Sequence, residues 1–483
     1  MGFDQESRGD PFRGDYPGRP EHESWEEYEA RVQRGVAALT QRRYQPAIRH
    51  ELLRLLNERR RVRGEPGASP REHPGGFAAA VREIGFLPVQ TGFDTLLTSG
   101  ELLITGSSYD GRRSPDGALG PGPSAKGYLD DIGMEAREVD CADLRGRVLR
   151  LIPAGERPMT SQQLADVAST LRARGFAASL SYVTPTAPVG KGGMGAPQPA
   201  DPPAGPPQFG DGSGKPAKVA IIDTGRSDQV RTDGWLQGIS GGVDPLDRFP
   251  LPNGDGYLDL AAGHGTFVAG IIRQVAPRAR VTAYRAIDSD GIGTEVRVAC
   301  EMIRAVKEGR AQIINLSLCC QTHDDLPPIA MRAALEVIGE WEREHGREVL
   351  IVAAAGNYGD SRPSWPAAFR RVVSVAGLAS DMRPAPWSSR GFWVTCSAIG
   401  QGVHSTYVEG RESPLLDPDP RNFGPDAWGV WSGTSFSAPQ IAGALARLHE
   451  EYGYPLREAL GRLLAAGQPV PGYGQALTIL PGA

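Results

Sequence analysis

Lys218-Val-Ala-Ile-Ile-Asp-Thr-Gly225 reads as a buried strand, four apolar residues in a row, that ends on an acid and turns at a glycine. Continuous apolar runs of this kind belong to sheets covered on both faces. Three more apolar strands follow, Ile313 to Leu318, Val349 to Ala354 and Val372 to Val375, and they alternate with stretches that predict helices over Gly265–Gln274, Glu295–Glu308, Ile329–Glu344 and Ser435–Glu450. The alternation predicts an α/β unit, residues 216–483, with a mostly parallel sheet between helical layers. In such sheets functional groups gather at the carboxyl ends of the strands, where Asp223 stands.

Upstream the texture changes. Pro185 to Lys215 is crowded with Pro and Gly, Pro202, Pro203, Pro206 and Pro207 among them, and reads as a linker (185–215) rather than an element. Residues 75–184 read as a small α+β domain: an apolar run Leu102–Thr105, a strand Arg147–Ile152, a helix Ser161–Arg174 capped by Thr160 or Ser161, and a strand Phe176–Val183. Residues 24–74 carry a charged helical pattern, with Glu27 and Arg31 at i,i+4, and residues 1–23 are polar enough to read as a disordered tail.

At 483 residues the chain is long enough for two folded units. With 40% hydrophobic residues and a net charge of -5 it has no basic excess that would draw a nucleic acid, and no run is long enough to span a membrane. Met1 to Gly35 holds no apolar stretch behind a basic start. Five cysteines, without metal-ligand spacing, fit reduced thiols, so a cytoplasmic location is expected. Cys319 and Cys320 fit packed small residues better than a redox device.

Four strings carry chemistry. Asp223-Thr-Gly225 alone also fits an aspartic peptidase, but that chemistry needs two such carboxylates and the chain has one Asp-Thr-Gly. In Ala262-Gly-His-Gly-Thr-Phe-Val-Ala-Gly270, glycines bracket His264 and a small-residue helix follows; a lone His there also fits a packed or capping residue. Gly433-Thr-Ser-Phe-Ser-Ala-Pro439 opens a helix at Ser435, whose hydroxyl would sit in the field of the helix amino end. An N-cap serine explains the Ser but not the Gly-Thr before it or the Ala-Pro after it. Val352-Ala-Ala-Ala-Gly-Asn357 runs a strand into an amide able to donate to an oxyanion, although Gly-Asn is also an ordinary turn dipeptide.

In the order Asp, His, Asn, Ser these strings resemble the subtilisin-like serine peptidases, or subtilases, over residues 216 to 480. α/β-Hydrolases run Ser, acid, His instead. The resemblance implies a subtilisin-like three-layer α/β/α fold and hydrolysis of protein or peptide substrates. Asp223, His264 and Ser435 then look like the triad and Asn357 like the oxyanion donor. Ser317, Leu318, Ala354, Ala355 and Gly356 look like walls that bind substrate. The chain departs from its relatives at Cys319, where they carry Gly after Ser-Leu, and at Ile399, where they carry Pro.

Residues 75–184 resemble, in element order and place, the propeptide that many subtilases carry. This implies docking on the larger unit and cleavage within Pro185–Lys215. No cofactor is required by this chemistry. Relatives often bind structural calcium, for which Asn253-Gly-Asp-Gly-Tyr-Leu-Asp259 is a candidate, but Leu251 stands where an EF-type loop begins with a carboxylate, so a solvated turn fits better. The charged N-terminal region is a candidate surface for a regulatory partner. The alternative to a peptidase is a catalytically silent binding or scaffold protein on the same fold.

Overall fold

The computed structural model describes residues 84–87, 95–111, 123–155, 159–185, 197–203, 214–248, 256–412 and 420–480. The expected tail over 1–23 and helical extension over 24–74 lie outside the described residues.

The N-terminal part is an antiparallel sheet with one long helix. Its elements are β1 (Ile84–Leu87), β2 (Thr95–Thr105), α1 (Gly106–Asp110), α2 (Lys126–Asp131), β3 (Met134–Glu138), β4 (Val148–Pro153), α3 (Ser161–Ala173) and β5 (Ala178–Pro185). Thr160 caps α3 through a reciprocal pair of bonds with Gln163. Alternation along β2 divides the side chains. Leu102 and Ile104 pack with Leu164, Ala168 and Leu171 of α3, and Leu103 faces the other way.

The larger unit begins with β6 (Gln198–Ala200) and β7 (Lys218–Asp223), and continues through β8 (Ser240–Gly241), α4 (His264–Val275), β9 (Arg280–Arg285) and β10 (Ile292–Thr294). Then come α5 (Glu295–Lys307), β11 (Ile313–Leu316), α6 (Ile329–His345), β12 (Leu350–Ala354), β13 (Val372–Leu378) and β14 (Cys396–Ile399). It closes with β15 (Val403–Thr406), β16 (Gly410–Arg411), β17 (Asn422–Phe423), β18 (Trp428–Trp431), α7 (Thr434–Tyr452), α8 (Leu456–Ala465), β19 (Gln468–Val470) and β20 (Gly474–Leu477). The main sheet runs β19-β20-β14-β13-β12-β11-β7-β9-β8, parallel except for β19 against β20.

In β7, Val219 and Ile221 join a core built with α4, α7 and α8, whereas Ala220 and Ile222 join the core of α5 and α6. Both faces are therefore covered, which is the three-layer α/β/α arrangement expected from the apolar runs. From β7 the strands go to β9 on one side and to β11, β12, β13 and β14 on the other, so the order reverses between β7 and β11. Crevices at the carboxyl ends of strands that flank such a reversal are binding sites.

Two features differ from the sequence expectation. Within the stretch 185–215 read as linker, Pro185 still belongs to β5, and β6 pairs antiparallel with β18 at Gln198↔Val430, Pro199↔Gly429 and Ala200↔Trp428. β6 lies at the edge of its three-stranded sheet, where a proline removes no interior ladder bond.

The two units share a core. Leu103, Val139, Cys141, Leu144 and Val148 pack on Val296, Ala299, Ile303 of α5 and on Ala330, Ala333, Val337 of α6. Arg147 grips Glu340 through two bonds of 2.9 and 2.7 Å, and Glu295 accepts the Tyr182 N–H of β5 at 2.9 Å and the Ala330 N–H at 3.0 Å.

Candidate active site

Asp223, the last residue of β7, is buried, and the turn after it interlocks with the start of α4. Gly263 caps α4 in a left-handed conformation, φ 78°. At Gly265 a β-carbon would stand 2.1 Å from the carbonyl oxygen of Gly225, so only glycine lets the two backbones meet. The Thr224 hydroxyl ties the turns together, accepting the Gly265 N–H at 3.1 Å and donating to Asp244 Oδ2 at 2.8 Å. Asp244 also accepts from the Gly263 N–H at 3.0 Å and the Leu246 N–H at 3.2 Å. Burial pushes its carboxyl up to about 6, against the pull of those donors.

The product of this bracing is a 2.7 Å bond between His264 Nδ1 and Asp223 Oδ1. The Thr224 N–H also donates to Oδ1, at 2.7 Å. A carboxylate there accepts the Nδ1 proton, which leaves Nε2 as the basic nitrogen. Nε2 is buried and has no hydrogen-bond partner among the described residues. The ring is held between Trp431 and Phe436, with centroids at 5.5 and 5.4 Å.

Ser435 is the second residue of α7, beside Phe436. Pro439 sits inside that helix and has no N–H, so the Ser435 carbonyl four residues earlier loses its helical partner. The Ser317 hydroxyl fills the place, donating to the Ser435 carbonyl at 2.7 Å, while Ser435 Oγ donates to the Ser317 carbonyl at 3.1 Å. These reciprocal bonds fix the start of α7 on the chain just beyond β11. Ser435 Oγ thus bonds Ser317 here rather than His264 Nε2.

Asn357 follows β12 and is oriented by Thr434. The Gly356 N–H donates to Thr434 Oγ1 at 3.0 Å, and the Thr434 hydroxyl and N–H both donate to Asn357 Oδ1 at 2.9 Å. With Oδ1 anchored, Nδ2 is left to face Gly433, where a β-carbon would lie 3.3 Å from it.

Of the residues expected to wall a substrate, Ser317, Leu318, Ala354 and Ala355 are all buried. Gly356 holds φ 102° and its carbonyl accepts the Ser389 N–H. Into this crevice comes the end of the small sheet. β5 pairs antiparallel with β10, Val183↔Thr294, Thr184↔Gly293 and Pro185↔Ile292, and the Cys319 N–H donates to the Pro185 carbonyl at 3.3 Å. The end of β5, at Pro185, therefore lies between Ile292 of β10 and Cys319.

The bracing residues Asp244 and Thr224 and the interface acid Glu295 were not singled out by sequence reasoning. Thr224, flanked by Asp223 and Gly225, was the one with a local signal. The other two look like ordinary loop and helix-start acids until the fold buries them. In the calcium candidate, residues 253–255 lie outside the described residues; Asp259 is buried and bonds the Arg248 N–H and the Ser289 hydroxyl. Among the described residues no group of three or more His, Cys, Asp or Glu is arranged to hold a metal ion.

Residues 214–464 match the family model described as the subtilase family, over half of the chain. The chain belongs to the subtilase family. This subtilase is 33% identical over 242 residues to the thermophilic serine proteinase of Bacillus sp. (strain AK1), a match covering 48% of the chain and 51% of that relative. It is 30% identical over 249 residues to thermitase of Thermoactinomyces vulgaris, covering 49% and 76%. It is 30% identical over 253 residues to the thermostable alkaline protease of Halalkalibacterium halodurans, covering 50% and 58%. The matched part thus spans about half the length of the first of these relatives.

Proposed function

We propose that this subtilase is a serine endopeptidase in which Ser435 attacks the peptide carbonyl, His264 moves the proton and Asp223 orients the histidine. The observation that carries the reading is the buried 2.7 Å bond from His264 Nδ1 to Asp223 Oδ1, which leaves Nε2 as an acceptor without a partner. A serine hydroxyl is a weak nucleophile at neutral pH. On substrate binding Ser435 Oγ gives up the Ser317 carbonyl, passes its proton to Nε2 and bonds the substrate carbon, forming an acyl-enzyme as His264 returns the proton to the leaving amine. Asp223 keeps the Nδ1 tautomer and stabilises the imidazolium without taking the proton. Asn357 Nδ2 and the positive end of α7 face the oxyanion as charge develops. Ser317, Leu318 and Ala354 to Gly356 bind the substrate backbone and border its main side-chain pocket.

We propose further that residues 75–184 act as a propeptide, and that the enzyme cuts itself within 185–215. The placement of Pro185 between β10 and Cys319 supports this, because it brings the end of the small domain to the crevice beside Ser317. Both ideas are tested by following the length of the full chain and of its Ser435→Ala variant over time, and by then adding a fluorophosphonate to each. The wild type is expected to label and to split within 185–215, and the variant to do neither. A wild type that takes no label would instead support a silent scaffold.

A further inference from the structure

The crevice beside Ser435 has an unusual floor. The β11–β12 register, Leu316↔Ala353, carried three residues beyond the strands sets Cys319 beside Gly356, at the mouth of the slot where the two strand ends part. A β-carbon on Gly356 would meet Ser364 Oγ at 3.0 Å, Tyr358 Cδ2 at 3.0 Å and Cys319 Sγ at 3.1 Å, so three side chains converge on this glycine. Cys319 Sγ is 3.9 Å from the Tyr358 hydroxyl. Ser364 is held from below, since its neighbour Trp365 exchanges two backbone bonds with Cys320, 2.9 and 2.8 Å. The Ser364 hydroxyl is buried and has no partner among the described residues.

A peptide that continues the track of Pro185 has to pair antiparallel with Ser317–Cys319 if its following residues are to approach Ser317 and Ser435. With one residue facing Cys319, as Pro185 does, the residue two positions further on faces Ser317, whose carbonyl holds Ser435 Oγ. That residue carries the carbonyl to be attacked, and its side chain points into the slot between Ser317–Cys319 and Ala354–Gly356.

We infer that Cys319, Tyr358 and Ser364 close this slot from three sides, so that the enzyme cuts after glycine, alanine or serine and rejects large side chains, with Cys319 the specificity-determining position. The inference rests on the peptidase reading and adds its substrate class. A leucine or phenylalanine entering the slot would displace the thiol, overpacking a wall whose neighbours are buried. A serine side chain could in addition bond the unpartnered Ser364 hydroxyl, which leucine or phenylalanine leaves as it is.

The test uses the full chain and two peptidyl diphenyl phosphonates that differ only in the residue bearing phosphorus, one alanine-like and one phenylalanine-like. The wild type is expected to react at least about tenfold faster with the first, the scale on which a pocket sorts side chains by size. Cys319→Gly is expected to shift the ratio of the two rates about tenfold toward the second probe; Ser364→Gly is a second variant in the same direction. Equal rates for the two probes in the wild type, or an unchanged ratio in both variants, would overturn the inference. So would labelling by a simple fluorophosphonate with neither peptidyl probe reacting. No labelling by any of the three reagents would instead overturn the peptidase reading itself.

Discussion

Glu295→Gln tests how the small domain is held on the larger one. Glu295 opens α5, is fully buried, and accepts the backbone N–H groups of Tyr182 and Ala330, one on each carboxyl oxygen. Burial pushes the carboxyl up from 4.5 to about 8, although both donors favour the anion. The folded chain therefore holds a proton that the unfolded chain releases between these two values. Stability from this group is complete below pH 4.5 and is lost as the pH rises through about 8. The ceiling on that loss is roughly 5 kcal/mol at about 1.4 kcal/mol per pH step, and water entry reduces it to an expected ~1–3 kcal/mol. Glutamine cannot titrate, and its amide turns a donor toward one of the two N–H groups, a cost of about 1–3 kcal/mol that does not change with pH.

Urea unfolding between pH 5 and 9, read by tryptophan fluorescence, should show the wild type ahead of Glu295→Gln at low pH and the gap closing toward pH 9. Hydrogen exchange in Ala178–Pro185, corrected for the intrinsic pH dependence, should follow the same course, because Tyr182 donates one of the bonds. Asp244, Glu301, Asp360 and Glu450 are also shifted upward by burial, and the difference between the two proteins cancels them. Parallel curves across the range would refute the assignment of this slope to Glu295.

Asn357→Ala should lower kcat by about 10²–10³ with little change in KM, the loss that removing such a donor causes in subtilisin. An equal rise in KM alone would show that Asn357 binds the ground state instead. Gly265→Ala should destabilise the fold by more than about 3 kcal/mol, since a β-carbon 2.1 Å from the Gly225 carbonyl forces the Asp223 and His264 turns apart. A melting temperature within a degree or two of wild type would contradict that interlock.

The middle of the main sheet, β7, β11, β12 and β13, was legible because those strands are buried on both faces and so read as mostly apolar runs. Each of the four helices expected in the larger unit is present within two residues at either end. What escaped were elements whose stability comes from a partner far along the chain. β10 has three residues, two of them Ile292 and Gly293, and becomes a strand only because β5 pairs with it. β6 carries Pro199 and is recognisable only once β18 lies beside it. Asp223, His264, Ser435 and Asn357 stand out as candidates because each sits in a short string of glycines and small residues that close backbone approach favours. Asp244 and Glu295 sit in no such string; their importance comes from being buried with a fixed set of donors, a property of the folded chain rather than of neighbouring residues.

The proline in α7 has a mechanical effect. By removing one rung of the helix it frees a carbonyl that Ser317 then takes up, so the segment bearing Ser435 is riveted to the middle of the sheet at its first turn. Any slippage of that helix along its axis must strip this rivet, and the hydroxyl of Ser435 inherits the stiffness of a nine-stranded platform rather than the play of a helix end.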